Sequence, residues 1–485
     1  MKKLEKKNVK EVLGLNMTQS GMLFHYLKEE KSCIYNVQIC LTIKGDLRID
    51  LLSKALTFVQ AENDALRSVF RWEEIGQPIQ IILKHSPITI EYVDLANEKQ
   101  EGLTKIVDDR CAKDRGTRFD LTDLPLRILL IRRGESSFTL CISHHHILYD
   151  GWSTGILLGE LFSCYRQLLK NLPCRVENKP AFKDICLALQ HHKKTDTSST
   201  FWRQQLGNYH PIMLCRAGAT GINTRKNIRK LKVAVPDSLL ESFVRQHNVT
   251  KSALVYSVYG LLLQKYFDLP DVVFGTTVSG RGEWFAGIDK VIGNFINTLP
   301  FRMVSGDDMT LLEIVAGVHE QLIERQPFSN FSYGEIKQLL GLKPTDDLFD
   351  SVVVIENYPL DIAGLTHDSA LDISLQSVYE TTDIPLLLTV YFREEVEFEF
   401  IYSEEDIGDL DIAAFARHFT IILHETMHHP EQKSRLVSLL TDHERAELLE
   451  RSSAPGAGYG IEKTVVELLE EQAGRTPEAV AVKGE

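Results

Sequence analysis

No apolar run in this 485-residue chain approaches the roughly 20 residues needed to cross a bilayer, so no membrane-spanning segment is expected. An excess of positive charge is also missing. The formal net charge is −13, which argues against a nucleic-acid binder, because phosphate recognition requires a basic surface. There is no CxxC pair: Cys33, Cys40, Cys111, Cys141, Cys164, Cys174, Cys186 and Cys215 are scattered, which disfavours a zinc site and a disulfide framework in a chain this long. They read as reduced thiols of a cytoplasmic protein. The opening "MKKLEKKNVKEVLGLNMTQSGMLFHYL" begins with lysines but contains no uninterrupted apolar core of signal-peptide length, so export is not expected.

What is present is the composition of a globular protein, 44% hydrophobic and 25% charged. At about 150 residues per domain the length suggests two or three globular units. Residues 16–28 read as a helix, 38–44 as a strand, and an amphipathic helix follows from Ile49. "PIQIIL", "ITIEYV", "LRILLIRR" and "SFTLCIS" are further strands. A helix is expected from residue 152, where Ile156, Leu157, Leu161, Tyr165, Leu168 and Leu169 make one apolar stripe. After "NLPCRVENKP" the grammar repeats, with strands in "IRKLKVAVP", "VVFGTTVSG", "FDSVVVIENYP" and "IPLLLTVYF", an alternating edge strand in "VEFEFIYS", and buried helices in "SALVYSVYGLLLQKYF" and "LDIAAFARHFTIILHETMHH". The fold class is therefore α/β (α+β) in two lobes, residues 1–178 and 179–450. Residues 451–461 read as a flexible linker and 462–485 as the start of something further.

The stretch "SHHHILYDGWS" needs a separate account. It lies between a strand and a helix N-terminus, where α/β proteins place functional groups. Asp150 and Ser153 can cap the helix, and Gly151 can supply a positive φ to the turn. That explains the Asp-Gly pair but not the histidines. His144 and His146, pointing the same way from an extended strand end, offer two metal ligands with Cys141 or Asp150 nearby, yet there is no convincing third ligand and no metal is expected. Acid-base use of one imidazole ranks higher.

His145-His146-Ile147-Leu148-Tyr149-Asp150-Gly151 matches the HHxxxDG signature, and the chain resembles the condensation domains of nonribosomal peptide synthetases. "LNMTQSGMLFHYL" is similar to the first motif of that family, "NDALRSVF" with Arg67 to its second, "VSGRGEWFAGIDKVIGNFINTLPFRM" with Arg281 to its fifth, and "FDSVVVIENYP" to its sixth. "FKDICLALQ" matches the fourth motif poorly, and Ile384 stands in "TDIPLLLTV" where family members often carry an aromatic residue. The resemblance implies two chloramphenicol-acetyltransferase-like lobes in a V-shaped pseudodimer with a central tunnel. The tail "TVVELLEEQAGRTPEAVAV" resembles the opening of an adenylation domain.

The reaction implied is peptide-bond formation between donor and acceptor groups carried on the phosphopantetheine arms of upstream and downstream peptidyl carrier proteins, with no cofactor bound covalently to this chain. No carrier attachment motif of the "GGxS" kind is present, so the carriers and the adenylation domain are expected as partners, and neither nucleic acid nor membrane is. The resemblance assigns catalysis to His146 and Gly151, and structural roles to His145, Asp150, Arg281 and Arg67, with Asp150 and Arg281 in a salt bridge that ties the lobes together. The opening motif is closer to the form associated with a D-configured donor and an L-configured acceptor. Rival readings are an epimerisation-type domain, a coenzyme A-dependent acyltransferase of the same fold, and a catalytically silent carrier-docking platform. The intact His145 argues against heterocyclisation.

Overall fold

The computed structural model describes residues 4–29, 32–191, 196–215, 228–282, 284–343, 346–356, 365, 371–393, 395–404, 406–408, 410–453, 464–478 and 480. The chain forms two compact units, Met1–Ser434 and Arg435–Glu485.

The first half of the large unit contains β1 (Val9–Gly14), α1 (Met17–Lys28), β2 (Asn36–Lys44), α2 (Ile49–Glu62), β3 (Ser68–Arg71), β4 (Ile79–Leu83), β5 (Ile90–Asp94), α3 (Gln100–Arg115), β6 (Leu126–Gly134), β7 (Ser137–His145) and α4 (Gly151–Leu169). The second half contains α5 (Phe182–His191), α6 (Asp196–Leu206), β8 (Ile228–Pro236), α7 (Asp237–His247), α8 (Lys251–Phe267), β9 (Asp271–Val278), β10 (Asn297–Val304), α9 (Leu311–Arg325), α10 (Tyr333–Leu339), β11 (Ser351–Glu356), β12 (Asp372–Glu380), β13 (Leu386–Phe392), β14 (Glu395–Ser403) and α11 (Ile412–His428).

The repeated grammar of the sequence is a repeated topology. One sheet has the order β12-β2-β7-β6-β5, the other β10-β9-β11-β13-β14-β8, and a small sheet β1-β4-β3 stands beside them. Reading β2-β7-β6-β5 against β8-β14-β13-β11 gives the same succession of antiparallel, antiparallel and parallel pairings. The helices follow suit: α2 packs on α4 after the first hairpin, and α8 on α11 after the second. Each of the two large sheets buries one face of branched and aromatic residues against its helix pair, and its other face is also packed, with Cys40, Leu129, Ile131 and Cys141 against α3 in the first and Val273, Val352 and Val354 against Trp202, Leu206 and Ile336 in the second.

Two details differ from the sequence reading. "VEFEFIYS" is not an edge: β14 is paired on both sides, with β13 and β8. Its alternation arises because Val396, Phe398 and Phe400 are buried against the helices while the opposite face carries Glu395 and Glu397. The large compact unit closes at Ser434, and residues 451–453 end a helix α12 (Asp442–Ser453) instead of opening a linker. The remainder of the expected linker lies outside the described residues. In the tail, Thr464 caps α13 (Val465–Arg475) with a capping box to Glu467.

The division at 178 is also crossed in both directions. Phe182 and Ile185 of α5 join the core of the first half, together with Ile288, Val291, Ile292 and Phe295. Strand β12 leaves the second half altogether and pairs antiparallel with β2, Glu380 opposite Val37. This exchange brings side chains more than 130 residues apart to the end of β7.

Candidate active site

His144 and His145 end β7, paired with Val37 and Asn36 of β2, and His146 follows the last pair. Each then meets a different environment. His144 stacks on Tyr149, with ring centroids 3.7 Å apart. Burial holds its imidazolium well below the ordinary value, and the adjacent His146 and His145 add to this. His145 turns into the core, with its ring edge-on to Tyr26 and Tyr35, and its Nδ1 accepts the Ile147 N–H at 3.1 Å. Burial, followed by the His146 and Arg118 charges, pushes it down to about 3, so it is a neutral packing residue.

Of the three, His146 is the one that faces a carboxylate among the described residues. Its Nε2 lies 3.4 Å from Glu380 Oε1, and its Nδ1 is buried with no partner among the described residues. The imidazole is held by its backbone. The His146 N–H donates to Tyr35 O (2.8 Å), and Asn294 Nδ2 donates to His146 O (2.7 Å). Tyr35 in turn donates its N–H to Thr381 O (2.9 Å), beside Glu380, so one residue anchors both sides of the histidine-carboxylate pair. Tyr35 does this with φ at 63°, a left-handed conformation that costs a non-glycine residue about 1–2 kcal/mol and persists because its two backbone bonds fix it.

Asp150 caps α4 by accepting from Ser153 N (3.1 Å) and Ser153 Oγ (2.9 Å) on Oδ1. Arg281 grips both carboxylate oxygens, Nη1 to Oδ2 at 2.6 Å and Nη2 to Oδ1 at 2.9 Å. The Phe295 and Ile296 N–H groups donate to Oδ2 as well. Both side chains are 1% exposed. Burial alone would raise this carboxyl, but the Arg281 charge and these hydrogen bonds outweigh it and hold its pKa below the usual range. The expected pairing of Asp150 with Arg281 is therefore present.

The other motifs converge on the same loop. Asn16 caps α1 and donates to Asn294 O (2.7 Å), and Thr18 donates to Ile296 O (3.0 Å). Gln19 donates to Ile147 O (3.0 Å) and to Gln80, which donates onward to Ser68. Arg67 is buried one residue before Ser68, but its own partners are Asp64 and Lys84 O (3.0 Å), so it braces the small sheet and does not reach the histidines. Gly151 is the first residue of α4 and does not adopt a positive φ, contrary to the turn expected from sequence. Asp150 is the N-cap, so the chain is already helical at Gly151, where the N–H has no intrahelical acceptor.

The metal set considered from sequence does not assemble. His144 and His146 have ring centroids 6.4 Å apart, Asp150 is occupied by Arg281, and Cys141 faces two other thiols. Sequence spacing missed that thiol cluster: Cys40 of β2, Cys111 of α3 and Cys141 of β7 are buried together, with Sγ atoms 2.9 Å (Cys40–Cys141) and 3.3 Å (Cys111–Cys141) apart. The contacts with Cys141 and Cys40 pull Cys111 down, while the Cys111 contact, together with burial, pushes Cys40 up against the lowering contact with Cys141. Glu380 was missed too, since no motif marks it.

The family profile described as Condensation domain matches residues 9–449. Gramicidin S synthase 2 of Brevibacillus brevis is 30% identical over 493 residues, which cover 99% of this chain and 11% of that protein. Tyrocidine synthase 2 of Brevibacillus parabrevis is also 30% identical, over 99% of this chain and 14% of its own length. The chain thus spans about a tenth of the curated relatives it matches. Among solved structures, the first condensation domain of the calcium-dependent antibiotic synthetase superimposes with a TM-score of 0.74 at 19% identity, covering 89% of this chain and all of that one. The X-domain from teicoplanin biosynthesis gives 0.77 at 21%, covering 90% and 99%. With the HHxxxDG loop, its Asp150–Arg281 clamp and the opening and fifth motifs meeting at one point, the chain belongs to the condensation domain family of nonribosomal peptide synthetases.

Proposed function

We propose that this domain forms an amide bond between two carrier-bound substrates, in a cytoplasmic setting. The α-amine of an acceptor aminoacyl group attacks the thioester carbonyl of the donor. The C–N bond forms and the C–S bond breaks. The thiolate of the donor carrier's phosphopantetheine leaves and takes up one proton, and a second proton of the original ammonium goes to solvent. An α-amine has a pKa of about 7.7 to 8.0 and a thioester is an activated acyl group, so a strong base is unnecessary. His146 orients the amine and relays its proton, and the Gly151 N–H at the start of α4 donates to the developing oxyanion.

The observation that carries this reading is the division of labour among the histidines. Two are consumed by packing, while His146 keeps an imidazole nitrogen facing a carboxylate that reaches solvent. Single-turnover assays with loaded donor and acceptor carriers, followed by mass spectrometry, test it: the native domain transfers the donor group and His146→Ala does not. A binding-only role has one observation in its favour, the likeness to a teicoplanin X-domain whose solved forms include a complex with OxyB. Absence of transfer by the native domain with both carriers loaded would favour that role.

The finer reading adds a D-configured donor terminus, an L-configured acceptor and an epimerisation domain upstream. It rests on "MTQSGMLFHYL", most of α1, whose first turn touches the 294–296 segment and whose Gln19 bonds the histidine loop. A steric difference in such a pocket is worth about 1–3 kcal/mol, so D-donors should be joined some tens of times faster than their L-epimers. Equal rates would remove the stereochemical assignment alone.

A further inference from the structure

We infer that Glu380 is the recognition group for the charged acceptor amine, receiving it as an ammonium and holding it against Nε2 of His146. The inference rests on the amide-forming reading and adds a specificity-determining residue to it.

The separation of the two side chains is the first support. At 3.4 Å the carboxylate oxygen and the imidazole nitrogen are neighbours, yet longer than the 2.7–3.2 Å of a formed N–H···O bond. A tetrahedral ammonium nitrogen, by contrast, can stand about 3 Å from both at once, giving one proton to each. Exposure is the second support. The His146 side chain is 8% exposed and that of Glu380 37%, so the carboxylate lies on the open side, where a substrate arrives before it meets the imidazole. Among the described residues Glu380 makes no ion pair with a lysine or arginine, so its charge is not already neutralised within the fold.

The third support is that Glu380 is held in place by its backbone. It ends β12, opposite Val37, and the next residue is fixed twice, Thr381 O accepting from Tyr35 N (2.9 Å) and Thr381 Oγ1 donating to Cys33 O (2.9 Å). Strand β12 has left the sheet of its own half to make this pairing. A carboxylate delivered across that distance to an imidazole whose two ring neighbours are spent on packing is placed for a ligand.

The chemistry requires such a group. Most acceptor amines arrive protonated below their pKa, and an ammonium cannot attack a carbonyl. The carboxylate draws the ammonium in by charge, one proton passes from it to solvent to free the lone pair, and as the C–N bond forms and the C–S bond breaks His146 Nε2 takes the second proton from nitrogen. The leaving thiolate receives that second proton. No oxidant or further reactant is needed.

The test compares Glu380→Gln and Glu380→Asp with the native domain and with His146→Ala. The acceptor carrier is loaded either with an α-amino acid or with its α-hydroxy analogue. The KM for the aminoacyl carrier, the kcat, and the competitive Ki of the hydroxyacyl carrier are measured at saturating donor. Charge-assisted hydrogen bonding to one ammonium corresponds to about a tenfold preference for amine over hydroxyl, and Glu380→Gln should remove that preference by raising KM with Ki unchanged. Glu380→Asp should recover part of it, and the donor KM should stay constant. Equal losses for amine and hydroxyl acceptors, or an unchanged acceptor KM in Glu380→Gln, would overturn the assignment. Because KM and Ki are read in the same protein, a loss of folded material does not imitate the result. If His146→Ala is inactive while Glu380→Gln is indistinguishable from native, only this inference fails; if the native domain forms no amide, the functional reading fails with it.

Discussion

Asp150 and His146 stand four residues apart in one loop, and each meets an ionisable side chain from the second half of the chain. The two pairs are opposites. The Asp150 and Arg281 side chains are buried and the carboxylate is saturated, its oxygens 2.6 and 2.9 Å from the guanidinium with further donors from Ser153, Phe295 and Ile296, so that Arg281 Nε alone of this pair has no partner among the described residues. His146 and Glu380 are 3.4 Å apart, partly open, and leave Nδ1 without a partner among the described residues. A carboxylate with all its lone pairs satisfied has nothing left for a substrate, whereas an imidazole facing a carboxylate across a gap does. Scaffold and chemistry are thus separated by the degree to which their hydrogen bonds are complete.

The largest effect should come from breaking the complete pair. Asp150→Ala or Arg281→Ala leaves one charge buried and unpaired, at a cost of about 3–5 kcal/mol. Both variants should be insoluble or melt far below the native protein. Melting temperatures within a degree of native for both would mean that the clamp carries no load, and the contrast with His146 would collapse.

Next is the incomplete pair. His146→Ala should reduce amide formation by about 10²–10⁴ while the denaturation midpoint stays near native, because the ring contributes positioning and proton transfer more than packing. A variant that lost stability in proportion to activity would place His146 with Asp150 as a structural residue.

Acid sharpens the contrast further. His144 and His145 are neutral in the fold because burial depresses their pKa, His145 to about 3, while in the unfolded chain each titrates near 6.5. Between those values the unfolded state binds protons that the folded state does not, so stability falls as pH drops below about 6.5. From pH 7.5 to 5.5 the two rings together should remove about 2–3 kcal/mol, measurable by urea denaturation. Asp150 is also depressed, and its contribution is present above the carboxylate range and lost only as pH falls through its folded value, below about 3.9. Stability that held flat from pH 7.5 to 5.5 would mean that His144 and His145 already bind protons in the fold.

Much of the scaffold was legible in the sequence, and the reason is local. The strand before His144, the cap at Asp150 and the stripe of α4 are set by residues within one or two turns of each other. The Asp150–Arg281 clamp was reached only through resemblance to a family, since 131 residues separate its partners. Glu380 was not reached at all. It lies in "SVYETTD", which resembles no charged motif, and it meets His146 only because β12 crosses to β2. The thiols of Cys40, Cys111 and Cys141 were hidden likewise, each on a different element. Gly151 was misread because Asp-Gly occurs both in turns and at helix starts, and the Ser153 bonds to Asp150 decide for the helix.

The smallest effect is expected where the two pairs share a support. Asn294 holds His146 O at 2.7 Å, and the next two backbone N–H groups hold Asp150. Asn294→Ala deletes the side-chain bond and leaves those N–H groups in place. It also strands a buried carbonyl, so the loss of stability should be about 1–2 kcal/mol, well short of the loss from opening the clamp. Activity should fall by roughly tenfold, because the backbone that aims the imidazole gains freedom while Nε2 and Glu380 remain. The preference for an amine over a hydroxyl acceptor should not change, since the recognising carboxylate is untouched. If Asn294→Ala instead abolished folding, the scaffold and the reacting group would be one cooperative unit, and the separation drawn between the two pairs would be too sharp.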